Sequence, residues 1–210
     1  MIPVLLTAAS SYLLGSIPFG YILIRLSRGQ DIRRSGSGNI GATNVARSSP
    51  GLGALTLVLD AGKGLLAAYL AILIANRTRG SSDDNRLYLM MSLAALFAIL
   101  GHIFPVWLSF RGGKGVATAV GAFSLLAPYA MLGAVGVFLV VAFASRYVSL
   151  SSVTAAAVFP LFAWFLYRAY FSGIEILVIC MTSIFIIARH HENIGRLLSG
   201  REPRFSFRHS

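Results

Sequence analysis

Apolar runs and short polar breaks alternate along this chain on a length scale that the lipid bilayer sets. A helix rises 1.5 Å per residue, so about 20 apolar residues carry it across the hydrocarbon layer. Three runs meet that length directly: residues 2–26, 51–75 and 87–109. From residue 116 to 188 the chain is apolar almost throughout, punctuated by Pro128, by Arg146 with Tyr147, and by Arg168 to Gly173. These breaks predict segments at 116–127, 129–145, 148–168 and 174–189. The first is short for a comfortable crossing. It is either a tilted or half-buried helix, or the front half of one kinked span ending near Arg146. The pattern predicts an all-α integral membrane protein. It is a polytopic helical bundle of seven transmembrane helices, or of five if 116–145 and 148–189 each cross once. Residues 1–210 read as a single membrane-embedded domain. The N-terminus lacks the cationic start of a secretory signal, and Ala8 and Ala9 are followed by more apolar sequence, so Met1 to Leu26 is expected as a retained span.

Composition narrows the class. The 210 residues are 56% hydrophobic and 12% charged, where a soluble domain carries about 25% charged residues. This excludes a disordered chain and a free-standing cytosolic enzyme. A single cysteine, Cys180, lies in an apolar run and excludes a disulfide framework. The 18 Lys and Arg against 7 Asp and Glu give a net charge of +11. A chain this apolar and this basic faces something anionic, either lipid head groups or phosphorylated substrates. Nucleic acid is disfavoured, because too little chain lies outside the membrane to build a binding module.

Charge also predicts sidedness. With seven spans, thirteen cations fall on one side: Arg25, Arg28, Arg33, Arg34, Arg47, Arg111, Lys114, Arg146, Arg189, Arg196, Arg201, Arg204 and Arg208. Four fall on the other: Arg77, Arg79, Arg86 and Arg168. The richer side is expected to be cytoplasmic, with the N-terminus outside and the C-terminus inside. The five-span count leaves the C-terminus on the same side.

Three polar segments on that face carry candidate chemistry. The first, within 27–50, reads Ser35-Gly-Ser-Gly-Asn-Ile-Gly-Ala-Thr-Asn-Val-Ala-Arg47. Glycines let backbone N–H groups turn inward as an anion nest, and an arginine adds a bidentate fork. A plain turn-rich loop uses the same residue types. The second is Gly101-His-Ile-Phe-Pro followed by Phe110-Arg-Gly-Gly-Lys-Gly115. Its amides are placed to open a helix, where the dipole favours an anion. A positive-inside anchor would explain Arg111 and Lys114 but not three glycines. The third is Arg189-His-His-Glu-Asn-Ile-Gly-Arg-Leu-Leu-Ser-Gly200-Arg-Glu-Pro203. If the last helix continues through it, His190 and Asn193 share a face, and Arg189, Asn193 and Arg196 form a ridge. His190 and His191 point about 100° apart on such a helix and cannot share one ion, so no metal site is expected.

Asp60, Lys63 and His102 lie at or near membrane depth. A charge there costs a few kcal/mol, so Asp60 and Lys63 should face the bundle interior and neutralise one another. The pair reads equally as an internal structural pair or as one that supports a site, and His102 has the alternative of a core histidine hydrogen-bonded near the membrane edge. The chain has no His followed five residues later by Asp, and Asp60-Ala-Gly does not match the Asp-rich metal signature of CDP-alcohol phosphotransferases.

Five ordered motifs resemble the bacterial acyl-phosphate:glycerol-3-phosphate acyltransferase family. They are Gly36-Ser-Gly-Asn-Ile-Gly-Ala-Thr-Asn with Arg47, Asp60-x-x-Lys-Gly64, Gly101-His-x-x-Pro, Arg111-Gly-Gly-Lys-Gly-Val-Ala117, and Arg189-His-x-x-Asn-Ile-x-Arg-Leu-Leu-x-Gly-x-Glu202. The resemblance covers essentially the whole chain. Arg111 and His191 stand where the family often has Lys and Arg, and loop 76–86 is long.

The resemblance implies acyl transfer from acyl phosphate to the 1-hydroxyl of glycerol 3-phosphate, giving lysophosphatidic acid and phosphate, with no cofactor and no metal. It implies catalytic roles for Asn193, His190 and Lys114. Substrate or phosphate contacts fall to Ser37, Asn39, Thr43, Asn44, Arg47, Gly112, Gly113, Gly115 and Arg189, with Asp60, Lys63 and His102 in support. Amides around Gly112 to Gly115 are expected to face the donor phosphate and the developing oxyanion. The partners implied are the two substrates, membrane lipids and an enzyme that produces acyl phosphate, and the location is the bacterial inner membrane. A transporter or flippase for a phosphorylated solute or lipid is the main rival. It predicts an inverted repeat and a midplane site, whereas these motifs crowd one face.

Overall fold

The computed structural model describes residues 1–77 and 84–205. Arg79, Arg208 and the middle of loop 76–86 lie outside the described residues. Every regular element among those described is a helix, and the chain forms two compact units, Met1–Leu126 and Ala127–Ser210.

Unit 1 opens with α1 (Ile2–Gly15) and α2 (Phe19–Arg28), the two halves of one 27-residue apolar stretch. Pro18 separates them, because proline supplies no N–H and disfavours a helical residue before it. A 3-10 turn (Ile32–Arg34) and α3 (Ala42–Ser48) lead into the 28-residue α4 (Pro50–Arg77). Then come α5 (Asp84–Ile103), a second 3-10 turn (Val106–Leu108) and the short α6 (Val116–Leu126).

Hydrophobicity does not select partners within lipid, so close backbone approach must do so. A Cβ on Gly121 of α6 would lie 1.8 Å from the Ala61 carbonyl oxygen, and one on Gly64 of α4 would lie 2.1 Å from that of Thr118. The pair α1 and α5 interlocks the same way, with Gly15 against Ala98 and Gly101 against Tyr12. Ala67, Ala68, Ala71 and Ala75 continue the small-residue surface of α4 and are fully buried.

Unit 2 holds α7 (Pro128–Ser145), α8 (Val148–Tyr167), α9 (Gly173–Ala188) and α10 (His191–Leu198). Pro128 sits in the first turn of α7, where a missing N–H costs nothing. Arg146 adopts a left-handed conformation (φ 61°) that ends α7, and Tyr147 starts α8 in extended geometry. The C-terminal segment returns to this turn: Phe205 N–H donates to the Arg146 carbonyl (2.8 Å) and Arg204 Nε to the Tyr147 hydroxyl (3.1 Å). At its start, α9 is capped by Ser172, whose hydroxyl also bonds the buried Glu175 carboxylate.

The helices fall where the apolar segments placed them. Among the described residues, five stretches have the length and hydropathy to cross a membrane: Ile2–Arg28, Pro50–Arg77, Asn85–Leu108, Pro128–Ser145 and Val148–Tyr167. This is a different five from the count in which 116–145 and 148–189 each cross once, because α7 and α8 are each long enough alone. The 11-residue α6 is short, and the pair α9 and α10 is bent by 56°.

Gly121→Ala should force α6 away from α4 at a cost of about 1–3 kcal/mol, the scale of core overpacking. Gly62→Ala, on α4 with nothing within 4 Å of the new methyl, should be neutral or stabilising. Thermal unfolding of the two purified variants in detergent checks the contrast.

Candidate active site

In unit 1 the segment after α2 is tied by its own side chains. Asp31 accepts the Arg33 backbone N–H (3.0 Å) and pairs with the Arg33 guanidinium (2.7 Å), which holds its carboxyl below the usual range. Gly36 and Gly38 are left-handed (φ 59° and 69°), a conformation that costs glycine little. Asn44 organises the loop from inside. Its Oδ1 accepts Ser37 N–H (2.8 Å), and its Nδ2 reaches the carbonyls of Asn39 (2.8 Å), Ser35 (3.1 Å) and Ile32 (3.3 Å). A Cβ on Gly36 would sit 2.2 Å from Asn44 Oδ1, so the glycine also makes room for that amide. Asn39 closes a turn by accepting Gly41 N–H (2.8 Å). Ser37, Thr43 and Arg47 are exposed at the surface of this frame. Beneath it Ile24, Ile32, Ile40, Val45 and Leu108 form one buried cluster, which joins this loop to the 106–108 turn.

The second segment lies against the C-terminal end of α5. Gly112 N–H donates to the Ile103 carbonyl (3.1 Å) and Gly113 N–H to the His102 carbonyl (3.0 Å). The expectation that both amides face a substrate phosphate is therefore corrected: they are spent on holding the loop to α5. Each glycine has a steric reason as well. A Cβ would meet the His102 carbonyl oxygen at 2.2 Å from Gly112, His102 Nε2 at 2.0 Å from Gly113, and Ile99 at 2.8 Å from Gly115, whose φ is +84°. Ser109 and Phe110 are left-handed too (φ 52° and 63°), which is unfavourable for side-chain-bearing residues and is held by Phe110 N–H on the Pro105 carbonyl (3.0 Å). The result presents half-buried Lys114 at the start of α6, whose first-turn amides lack partners within the helix. Asp60, Lys63 and His102, all buried, lie together below this loop.

Unit 2 carries the third segment, and here the helix does not continue. The His190 Nδ1 bonds the Ile186 carbonyl (2.7 Å), which a continuous helix would give to the His190 N–H; that N–H turns to Ile187 instead (2.9 Å). The side chain thus replaces a helical bond, and Arg189 and His190 become the corner between α9 and α10. The ridge of Arg189, Asn193 and Arg196 is accordingly interrupted. Asn193 is buried, with Nδ2 donating to Glu202 Oε1 (2.6 Å), while Arg196 Nε donates to Glu202 Oε2 (2.7 Å). His191 is exposed and turned to the Ala188 carbonyl (3.0 Å).

Glu202, which fixes the amide of Asn193, has no site role in the sequence reading beyond ending its motif. The available signal was a lone acid nine residues past Asn193 in a cationic tail.

With the site geometry in place, known proteins place the chain. The family model described as glycerol-3-phosphate acyltransferase matches residues 5–200. The chain belongs to the glycerol-3-phosphate acyltransferase family. It is 46% identical over 93% of its length to the glycerol-3-phosphate acyltransferase of Syntrophotalea carbinolica, covering 94% of that protein. It is 44% identical to that of Thermosynechococcus vestitus, covering 95% of this chain and 93% of that one. Its fold matches the crystal structure of PlsY (YgiH), an integral membrane glycerol 3-phosphate acyltransferase, in its glycerol 3-phosphate form. That match has a TM-score of 0.83 and 39% identity over 97% of this chain and 96% of the other. The lysophosphatidic acid form of PlsY matches with a TM-score of 0.80 at 38% identity, over 97% and 95% of the two chains. As a family member this protein is an integral membrane acyltransferase, as its motifs implied.

Burial raises the Glu202 carboxyl, but hydrogen bonds from Asn193, Ser149 and Arg196, with the Arg196 charge, outweigh it and hold the group below its ordinary 4.5. A carboxylate lowered in the folded state stabilises fully above its unfolded value, and that contribution is lost as pH falls through the folded one. Glu202→Gln should therefore unfold at a lower temperature than the parent at neutral pH, with the gap closing below about pH 4.5. Melting curves in detergent across that range check this; a gap independent of pH would exclude the role.

Proposed function

We propose that this protein transfers a fatty acyl group from acyl phosphate to the 1-hydroxyl of glycerol 3-phosphate. The hydroxyl oxygen attacks the acyl carbon, the bond from that carbon to the phosphate oxygen breaks, and lysophosphatidic acid and inorganic phosphate form. The observation that carries the reading is Lys114 at the head of α6, on a glycine loop pinned to α5, in a chain that matches the acyltransferase family over residues 5–200. The helix dipole, the first-turn amides and the lysine together favour a phosphate there. With Gly112 and Gly113 engaged, the anion donors are Lys114, Gly115 and the first turn of α6, and these neutralise the donor phosphate.

Ser37 and Arg47, exposed on the loop that Asn44 braces, serve the phosphate of the acceptor, with Asn39 and Thr43 beside them. In unit 2, Arg189 and His190 supply positive charge suited to a phosphate, and Asn193, oriented by Glu202, directs a substrate oxygen. An acyl phosphate is a mixed anhydride, so its phosphate leaves without strong acid help, and alignment with charge neutralisation supplies the catalysis. The departing phosphate takes the hydroxyl proton. His190 is the fallback base. The Ile186 carbonyl can only accept, so Nδ1 carries the hydrogen, and the neutral ring offers Nε2 as its basic nitrogen. A phosphate contact at Nε2 instead requires the imidazolium.

The polar segments face the cytoplasm of the bacterial inner membrane, with the N-terminus outside. Residues 1–210 act as one catalytic domain, coupled in the cell to an enzyme that makes acyl phosphate.

Purified protein in detergent, given palmitoyl phosphate and glycerol 3-phosphate with chelator present, should release phosphate in step with lysophosphatidic acid. Lys114→Ala should fold but lose at least about a hundredfold in rate, on the scale of removing an electrostatic donor. Absence of product in the parent, or normal turnover in the variant, would sink the corresponding assignment. A near-parental rate for His190→Gln would exclude the histidine base. Cysteines placed at Arg146 and Gly173 should label from opposite faces of sealed vesicles, Arg146 from the cytoplasmic one; labelling from one face would overturn the arrangement in which α8 crosses.

A further inference from the structure

We infer that Asp60, Lys63 and His102 are one positioning device that sets the height and angle of the Arg111–Gly115 loop on α5, and through it the donor-phosphate contacts of Lys114. This rests on the reading that the head of α6 faces the donor phosphate.

The network begins at the break between α1 and α2. There Pro18 interrupts the helical ladder, and within the break the Ile17 carbonyl has only a tight-turn bond from the Phe19 N–H (3.2 Å). Lys63 Nζ reaches across from α4 and donates to the Ile17 carbonyl (2.7 Å). The same ammonium lies 2.8 Å from Asp60 Oδ1, one turn earlier on α4, and 5.7 Å from the centre of the Phe19 ring. Asp60 Oδ1 in turn lies 3.6 Å from His102 Nδ1 on α5. All three side chains are more than nine-tenths buried. A charge pair held this deep adds little stability over a well-packed apolar pair of the same volume, so its purpose here is sought in what it positions.

The other edge of the imidazole supplies that purpose. A Cβ on Gly113 would lie 2.0 Å from His102 Nε2, and the three nearest atoms it would meet all belong to that ring. The imidazole is therefore the floor on which Gly113 rests. The His102 carbonyl meanwhile accepts Gly113 N–H (3.0 Å), so one residue holds the loop from beneath and by its backbone. Asp60 faces the opposite edge and sets the ring angle. The lysine, by bonding Ile17, ties this assembly to the hinge from which α2 departs. Further along, Gly20 of α2 packs against the Ile40 carbonyl of the Ser37 loop. One buried network thereby registers both cytoplasmic loops of unit 1 against the same three helices. None of the three side chains needs to touch substrate, so these are positioning residues.

The test uses the full-length protein in detergent with palmitoyl phosphate and glycerol 3-phosphate. Asp60→Asn removes the charge that orients the ring. His102→Asn removes the floor and leaves the Asp60–Lys63 pair intact, so it serves where Asp60→Asn does not fold. In the folded variant, KM for acyl phosphate should rise by about tenfold while KM for glycerol 3-phosphate stays within about twofold. Any other pattern in a folded variant overturns the proposal, including normal constants or a shift confined to glycerol 3-phosphate. A purely structural core histidine would lower the melting temperature and leave both KM values alone. An arm without the reaction reads the floor contact directly. Gly113→Ala should lower the melting temperature of the parent and lower it much less in a His102→Ala background; additive effects overturn the contact. If the parent transfers no acyl group, the catalytic reading fails instead, and the melting arm still decides whether His102 carries the loop.

Discussion

Every backbone N–H and C=O within the hydrocarbon layer has to find a partner inside the protein, and the arrangement of this chain follows from how it meets that demand. Regular helix meets it over most of the length. The informative places are those where helix fails. At Pro18 the Ile17 carbonyl, bonded locally only by the Phe19 N–H, also accepts from a lysine of another helix. At His190 an imidazole replaces the backbone donor and turns the chain into α10. At the end of α5 the loop folds back so that two glycine amides take the last carbonyls. Each repair uses residues of the ordered motifs: Lys63, His190, and Gly112 with Gly113.

The same economy explains the glycines. The sequence offers them as a phosphate cradle; in the Ser37 loop Gly36 and Gly38 adopt left-handed backbone. In the Arg111–Gly115 loop their role is different. They allow a stretch of irregular backbone to lie flat on a helix end, where a side chain at Gly112, Gly113 or Gly115 would strike a carbonyl, the His102 ring or Ile99. The loop so held leaves Lys114 at the head of α6. Glycine-rich chemistry and glycine-rich packing look identical in a linear sequence, because both ask only for the absence of a Cβ.

A comparable distinction separates the asparagines. Asn44 spends its amide within the loop it braces, bonding Ser37, Asn39, Ser35 and Ile32. Asn193 is held by a carboxylate that also gathers Arg196. Both polar side chains are buried, and both give shape to segments that end in exposed cations. The electrostatics of the cationic loops therefore rest on neutral amides packed beneath them.

The sequence by itself determined the helical class, the segment boundaries from 116 to 188, the cationic loops and the family. These depend on local quantities: run lengths against bilayer thickness, proline and charge punctuation, and ordered motifs that a linear comparison can see. The pairing of Asp60 with Lys63 was legible as well, because three residues along a helix fix the geometry. What tertiary structure alone decided was direction and partnership. Only the fold shows that the Gly112 and Gly113 amides point to α5, that His102 carries Gly113, that Glu202 fixes Asn193, and that the chain bends at His190. Each of these joins groups whose separation in space is set by packing, and the identity of a residue does not reveal which of several hydrogen-bond partners will be nearest once the helices have closed.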